Sequence, residues 1–345
     1  MNPIVDLRSD TVTHPTPAMR EAMARAEVGD DVLGEDPTIN RLQQMAAEKM
    51  GKEAALFVPS GTMGNLAAVL AHCQRGEEAI MGHLGHTFLF EAGGISALGG
   101  VFASTLQNQP DGTIRLQEIE EAIRGSDIHQ PITRLLILEN THNRCGGAVL
   151  SPDYLRQAGE LVHRHGLKLH LDGARIFNAS AALGVRPTDL TSSVDSVTFC
   201  LSKGLCAPVG SVLCGSRDFI DRARRIRKQL GGGMRQAGVL AAAGIVALEQ
   251  MVDRLGQDHA RARKLAEGLS TMPGLEFPHG WPQSNMVFIR LADGHPLDAP
   301  SLAERIKTHG VKVGVVGPRT FRMVLHYWVD DEGVERTVKA FRETL

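Results

Sequence analysis

At 345 residues the chain has room for about two domains of ~150 residues each, and a chain of this size forms a core without disulfide staples. Its 37 Lys and Arg against 39 Asp and Glu leave a net charge of −2, which argues against nucleic-acid and anionic-membrane binders, since these carry a basic excess. Hydrophobic residues at 43% and charged residues at 22% exclude a disordered chain.

The first residues, MNPIVDLRSDTVTHP, contain Asp6, Arg8 and Asp10 and no apolar run, unlike a signal peptide. The most apolar stretch, residues 238–252, is interrupted by Glu249 and is shorter than the ~20 residues of a membrane span. Cys73, Cys145, Cys200, Cys206 and Cys214 are odd in number and form no Cys-x-x-Cys pair. No disulfide framework or metal site is therefore expected, and the reducing cytoplasm is the expected compartment.

Along the chain, an arm of about thirty residues (1–30) precedes the first α/β region. Residues 54–59 read as a buried strand, followed by a helix over 62–73. Residues 134–140 form a second strand. A helix follows with Ser151 as N-cap, Pro152 at its first position, Leu155, Ala158, Leu161 and Val162 on its apolar face, and Gly166 as its stop. Residues 167–171, 196–201 and 209–214 are further strands. This alternation predicts a largely parallel sheet flanked by helices, over residues 31–254. After Gly231-Gly232-Gly233 an Ala-rich helical region spans about 236–269 and leads into a Pro-punctuated segment. Strands at 285–291 and 322–329, with a helix at 302–309 between them, make residues 255–345 a second, smaller α/β domain.

The strongest chemical signal is Lys203, in Cys200-Leu201-Ser202-Lys203-Gly204 at the end of an apolar strand, where open α/β sheets bind ligands. Alone it reads as a solvated surface lysine. The run His170-Leu171-Asp172-Gly173-Ala174-Arg175 places a carboxylate at the end of another strand. A lysine to form a Schiff base and an aspartate to keep a pyridine nitrogen protonated are the two groups that pyridoxal 5'-phosphate (PLP) chemistry requires. Between a strand and a helix, Ser60-Gly61-Thr62 offers N–H groups, hydroxyls and a helix N-terminus to a phosphate, although ordinary capping explains the same residues. His86, in a Gly-flanked loop, is a candidate to stack on the cofactor ring and to exchange protons near neutral pH.

These motifs, in this order, resemble the threonine aldolases of the β-eliminating-lyase family, which are fold-type I PLP-dependent enzymes. The resemblance runs almost end to end. It is carried by Asp6-Leu7-Arg8-Ser9-Asp10-Thr11-Val12-Thr13, Gly29-Asp30-Asp31, Gly34-Glu35-Asp36-Pro37, Phe90-Glu91-Ala92-Gly93-Gly94 and Glu139-Asn140-Thr141-His142-Asn143. Downstream it continues in the Asp172 and Lys203 motifs, in Pro208-Val209-Gly210-Ser211 and in Gly231-Gly232-Gly233-Met234-Arg235-Gln236. The resemblance implies retro-aldol cleavage of L-threonine, L-allo-threonine and other β-hydroxy-α-amino acids to glycine and an aldehyde.

It also implies roles. Lys203 carries the cofactor, Asp172 partners its pyridine nitrogen, and His86 stacks on its ring. Ser60, Gly61 and Thr62 cradle the phosphate, with Arg235 reaching it from a neighbouring subunit of a homotetramer. Ser9 and Arg175 lie near the substrate carboxylate and the cofactor. Arg322 binds that carboxylate, and His129 lies near the β-substituent, so His86 and His129 both stand as candidate bases. The alternatives are a preference for bulkier substrates such as phenylserine, another outcome of the same chemistry such as β-elimination, and a non-catalytic binding protein on the same fold.

Departures from the family pattern fall at Leu33, where tyrosine is expected, at Cys206, where glycine is usual, at Asn143-Arg144-Cys145, and at Tyr327-Trp328. Arg319, three residues before Arg322, competes for the carboxylate role. The basic run 222–228 reads as a cationic helix face or a phosphate or subunit contact, and His163 and His165 as C-terminal capping residues.

Overall fold

The alternating strand and helix patterns assemble as two sheets in the computed structural model, which describes residues 4–345. The strands are β1 (Val5–Leu7), β2 (Ala54–Val58), β3 (Glu78–Gly82), β4 (Phe102–Leu106), β5 (Thr133–Glu139), β6 (Lys168–Asp172), β7 (Ser196–Cys200) and β8 (Ser211–Gly215). Then come β9 (Leu275–Glu276), β10 (Met286–Leu291), β11 (Val311–Gly317) and β12 (Thr320–Val324). The first sheet has seven strands in the order β2-β8-β7-β6-β5-β3-β4. β8 runs antiparallel to both its neighbours and the other pairings are parallel. The second sheet, β1-β11-β12-β10-β9, is antiparallel except for β1 beside β11.

The central strands are apolar on both faces because helices cover both. Leu136, Leu169, Leu171, Val197, Phe199 and Val212 are fully buried, and burying each such side chain stabilises by about 1.5–3 kcal/mol. Local signals work as read. Helix Pro152–Arg164 begins at Ser151, whose hydroxyl accepts from the N–H of Tyr154, and it buries Leu155, Ala158, Leu161 and Val162. Gly166, at φ +72°, then turns the chain out of the helix.

Several elements differ from the sequence reading. The Ala-rich region is not one helix. It runs as Gly238–Val246, a π-helical stretch Ala247–Met251, and a separate helix Leu255–Ser270. The second helix starts at Leu255 in the core that also holds Ala241, Leu248 and Met251, and then crosses to another core built on Ala262, Leu265 and Leu269. The strand expected at 209–214 begins only at Ser211, because Gly210 sits at φ +99° with its Cα against the Phe57 ring. The strand expected at 322–329 ends at Val324. The amino-terminal arm is not separate: Val5 and Leu7 pack in the second core, and β1 forms that sheet's edge.

Candidate active site

Three parallel strand ends deliver the carboxylates and the lysine to one place. In the sheet register Glu139, at the end of β5, stands opposite Asp172, at the end of β6, and Asp172 stands opposite Thr198 of β7. Lys203 follows three residues after β7. Gly173 is required beside Asp172, because a Cβ there would lie 2.9 Å from Val197 Cγ2 and 3.1 Å from the Thr198 carbonyl oxygen. An open cleft of about 530 Å³ lies above these strand ends, within the range of small-molecule sites. Ser9, His86, Arg175, Lys203 and Arg322 all line it, so the structure brings together five residues singled out in the sequence.

Asp172 is 3% exposed. Its Oδ2 accepts from Asn65 Nδ2 at 2.9 Å and its Oδ1 from the Ala174 N–H at 3.1 Å. It has no cationic partner among the described residues. The second hydrogen of the same Asn65 amide reaches Glu91 Oε1 at 2.8 Å, and that oxygen also lies 2.8 Å from His86 Nδ1. His86, Glu91 and Asp172 thus converge within 4.8 Å. The hydrogen bond to Glu91 raises the affinity of His86 for a proton against the opposing effect of burial, with Asp172 and Glu139 adding to the rise. Burial pushes the Glu91 carboxyl up, and the nearby Asp172 charge adds to it.

Behind Asp172 the network continues through the sheet. His170 Nε2 lies 3.2 Å from Asn65 Oδ1, and Ser196 Oγ lies 2.8 Å from both His170 Nδ1 and His72 Nε2. Burial lowers His170 to about 4 and His72 to about 3, so both imidazoles are neutral.

The two arginines of the cleft are held differently. Arg175 is clamped bidentately by the fully buried Asp10, with Nε–Oδ2 2.7 Å and Nη2–Oδ1 2.6 Å. Burial alone would raise the Asp10 carboxyl, but the Arg175 guanidinium outweighs it and holds Asp10 at about 2. Arg322 donates from Nη1 to Asn143 Oδ1 at 2.8 Å and from Nη2 to the Arg8 carbonyl at 3.2 Å. Its buried Nε has no partner among the described residues. Arg319 is committed elsewhere, to the carbonyls of Leu291 and Ala292, and does not line the cleft that Arg322 lines. Lys203 Nζ makes no hydrogen bond or ion pair among the described residues. Its backbone carbonyl accepts from Thr13 Oγ1 at 2.9 Å, so the arm braces the lysine loop.

Ser60, Gly61 and Thr62 join β2 to the helix that follows it. Ser60 caps helix Gly61–His72 by accepting from the Met63 N–H. Gly61 keeps the approach open, since a Cβ there would come within 3.0 Å of Cys200 Sγ. Two other residues are not in the cleft. His129 is on an exposed loop with Nδ1 2.8 Å from Asp127 Oδ1, and Arg235 pairs with Asp30 on the surface at 2.9 Å. The basic run lies within helix Arg217–Gln229 and is not wholly a surface face. Arg227 is 2% exposed, bonded to Asp31 and to the Phe57 carbonyl. His163 and His165, read as helix caps, make side-chain contacts to Asp195 and Glu120.

Sequence reasoning gave no role to Asn65, Glu91, Asp10 or Asn143. Three of them lie inside motifs that carried the resemblance, Asp10 beside Ser9, Glu91 in Phe90-Glu91-Ala92, and Asn143 after His142. An acidic residue in an apolar or glycine-rich run was the available signal.

A parallel-centred α/β sheet with a lysine and a buried aspartate at adjacent strand ends defines the class of fold-type I PLP-dependent enzymes. Within it, the chain belongs to the β-eliminating lyase family, whose model matches residues 6–292. It is 51% identical to low-specificity L-threonine aldolase 1 of Arabidopsis thaliana, over 99% of this chain and 96% of that one. It is 47% identical to the low specificity L-threonine aldolase of Escherichia coli K12, over 99% of both. The solved threonine aldolase of Leishmania major superposes with a TM-score of 0.84 at 23% identity, covering 98% of this chain and 99% of that one, and this likeness speaks for the fold.

Proposed function

We propose that the chain is a PLP-dependent aldehyde-lyase that cleaves L-threonine and L-allo-threonine to glycine and acetaldehyde. The observation that carries this reading is a buried aspartate without a cationic partner among the described residues, at a strand end beneath the cleft lined by Lys203, a lysine unpaired among those residues. A carboxylate buried without a positive partner is costly, and a protonated pyridine nitrogen supplies the missing partner. Gly61 and the N-terminus of helix Gly61–His72 leave room and N–H donors for the phosphate. When bound, PLP withdraws the electron pair that breaking the Cα–Cβ bond leaves on the α-carbon.

The chain's own residues do the rest. Arg322, with an unpartnered Nε, and Arg175, whose Nη1 makes no hydrogen bond with the described residues, receive the substrate carboxylate. Fixing that carboxylate sets which bond at Cα faces cleavage. His86 lines the cleft with Nδ1 tied to Glu91 and Nε2 without a hydrogen bond among the described residues.

Residues 31–254 then form the cofactor-binding domain, and residues 255–345 together with β1 the small one. A cytoplasmic homotetramer fits the remaining features. No helix of the described residues is long and apolar enough to cross a membrane. Arg235, outside its own cleft, then serves a neighbour's phosphate. Product analysis tests the activity. L-threonine should give equimolar glycine and acetaldehyde, and ammonia with a 2-oxo acid would replace this reading by β-elimination.

A further inference from the structure

His86 has one ring nitrogen free for the cleft, and which nitrogen holds the proton decides what that free position can do. Three carboxylates face this imidazole. Glu91 follows the short helix His86–Leu89 and lies 2.8 Å from Nδ1. Glu139, from β5, accepts the His86 backbone N–H at 2.7 Å. Asp172, from β6, completes the cluster within 4.8 Å, while Lys203 faces His86 across the cleft. Only Glu91 touches the ring. It is 5% exposed, makes no bond to lysine or arginine among the described residues, and leaves Oε2 buried without a partner. Burying a carboxylate so poorly compensated is expensive for a purely structural contact.

The hydrogen bonds of Asn65 orient the Glu91 carboxylate. His170 is neutral, and its Nε2 lies 3.2 Å from Asn65 Oδ1. The Asn65 amide oxygen is thereby occupied, and its two N–H bonds go to Asp172 Oδ2 and Glu91 Oε1. Glu91 Oε1 is thus oriented as an acceptor, and the group 2.8 Å away on its other side must donate. We propose that Glu91, anchored by Asn65, is the positioning residue that keeps the His86 proton on Nδ1 and presents Nε2 to the cleft as the proton acceptor.

The inference rests on the aldolase reading for the proton that is taken. As Cα–Cβ breaks, the β-hydroxyl proton passes to His86 Nε2 and the O–H electron pair becomes the second C–O bond of the aldehyde. The Cα–Cβ pair stays on the α-carbon, and one proton added there completes glycine, so threonine is accounted for by the two products.

Two measurements test the role of Glu91. In the wild-type holoenzyme, ¹⁵N spectra with the His86 signal assigned by its loss in His86→Phe should show Nδ1 protonated and Nε2 bare above the imidazole's titration. A proton on Nε2 with Nδ1 bare would overturn the proposal. Kinetically, Glu91→Gln keeps an acceptor oxygen and removes the charge. It should retain the cofactor's visible absorption, lose about tenfold in kcat/KM for threonine, and move the acidic limb of the pH profile down by about one unit. In a His86→Phe background the same substitution should have no further effect. An unchanged profile, or an equal loss in that background, would contradict it. Failure of the aldolase reading is separable, because wild-type enzyme would then release no acetaldehyde while the ¹⁵N result still decides the tautomer.

Discussion

On the floor of the cleft Asp172, Asn65, Glu91 and His86 are each held by another residue of the same chain, whereas His129 and Arg235 stand outside it with side chains 84% and 57% exposed. The floor sits at strand ends, where backbone pairing fixes each Cα and buried amides and hydroxyls fix the side chains. The two outer residues have only local partners, Asp127 and Asp30, which are themselves at the surface. Surface pairs of this kind contribute at most about 1 kcal/mol, so they restrain a side chain weakly and leave it available to another subunit. A site can therefore be well anchored where charge must be controlled and loosely held at its periphery.

The sharpest way to break the floor is to remove the lysine. Lys203→Ala should abolish turnover by at least roughly 10³-fold with an unchanged unfolding midpoint, measured by coupled acetaldehyde reduction and urea denaturation. Next comes the clamp behind the cleft. Asp10→Ala strands the Arg175 charge in a buried position, and should cost about 3–5 kcal/mol of stability by urea unfolding. Arg322→Ala removes a guanidinium with a spare buried N–H. It should raise the KM for threonine about 10- to 100-fold, as loss of a charged hydrogen bond predicts, with a smaller change in kcat.

The buried imidazoles differ from His86 in their response to acid. His72, His170 and His259 are buried neutral, at about 3, 4 and 4. Because their folded values lie below the unfolded value near 6.5, their contribution is complete above pH 6.5 and is lost as pH falls toward those values. The limiting slope is about 1.4 kcal/mol per pH unit for each group. His86 acts with the opposite sign. Its raised affinity for a proton stabilises the fold below pH 6.5, and that part is lost as pH rises through its folded value. Unfolding free energies measured from pH 5 to 8 should therefore fall on the acid side of neutrality. A flat curve would mean the buried imidazoles are not neutral. The smallest effect concerns the rim. Arg235→Ala should weaken cofactor affinity about tenfold without altering unfolding, and mixing it with Lys203→Ala subunits should restore part of the activity.

The floor was legible wherever a residue type is unusual for its setting. A lysine after an apolar strand and an aspartate ending one are such signals, and with Ser60 and Pro152 at helix starts they located the cleft and its sheet. Residues whose meaning lies in a partner remote in sequence were not legible. Asn65 meets Asp172 across 107 positions and Asp10 meets Arg175 across 165, and no local pattern encodes such a contact. The same limit explains the Ala-rich region, whose uniform helical propensity conceals a change of core between Leu255 and Ala262. It also explains Arg227, which looked like one of several surface cations until Asp31 was placed beside it.

The central claim, that Lys203 and Asp172 hold PLP in this cleft, is tested most directly by borohydride reduction of the purified holoenzyme followed by mass mapping of its peptides. The account predicts a single phosphopyridoxyl adduct on Lys203, diminished when the enzyme is first saturated with L-threonine. An adduct on a different lysine, or none from a protein carrying stoichiometric cofactor, would contradict it.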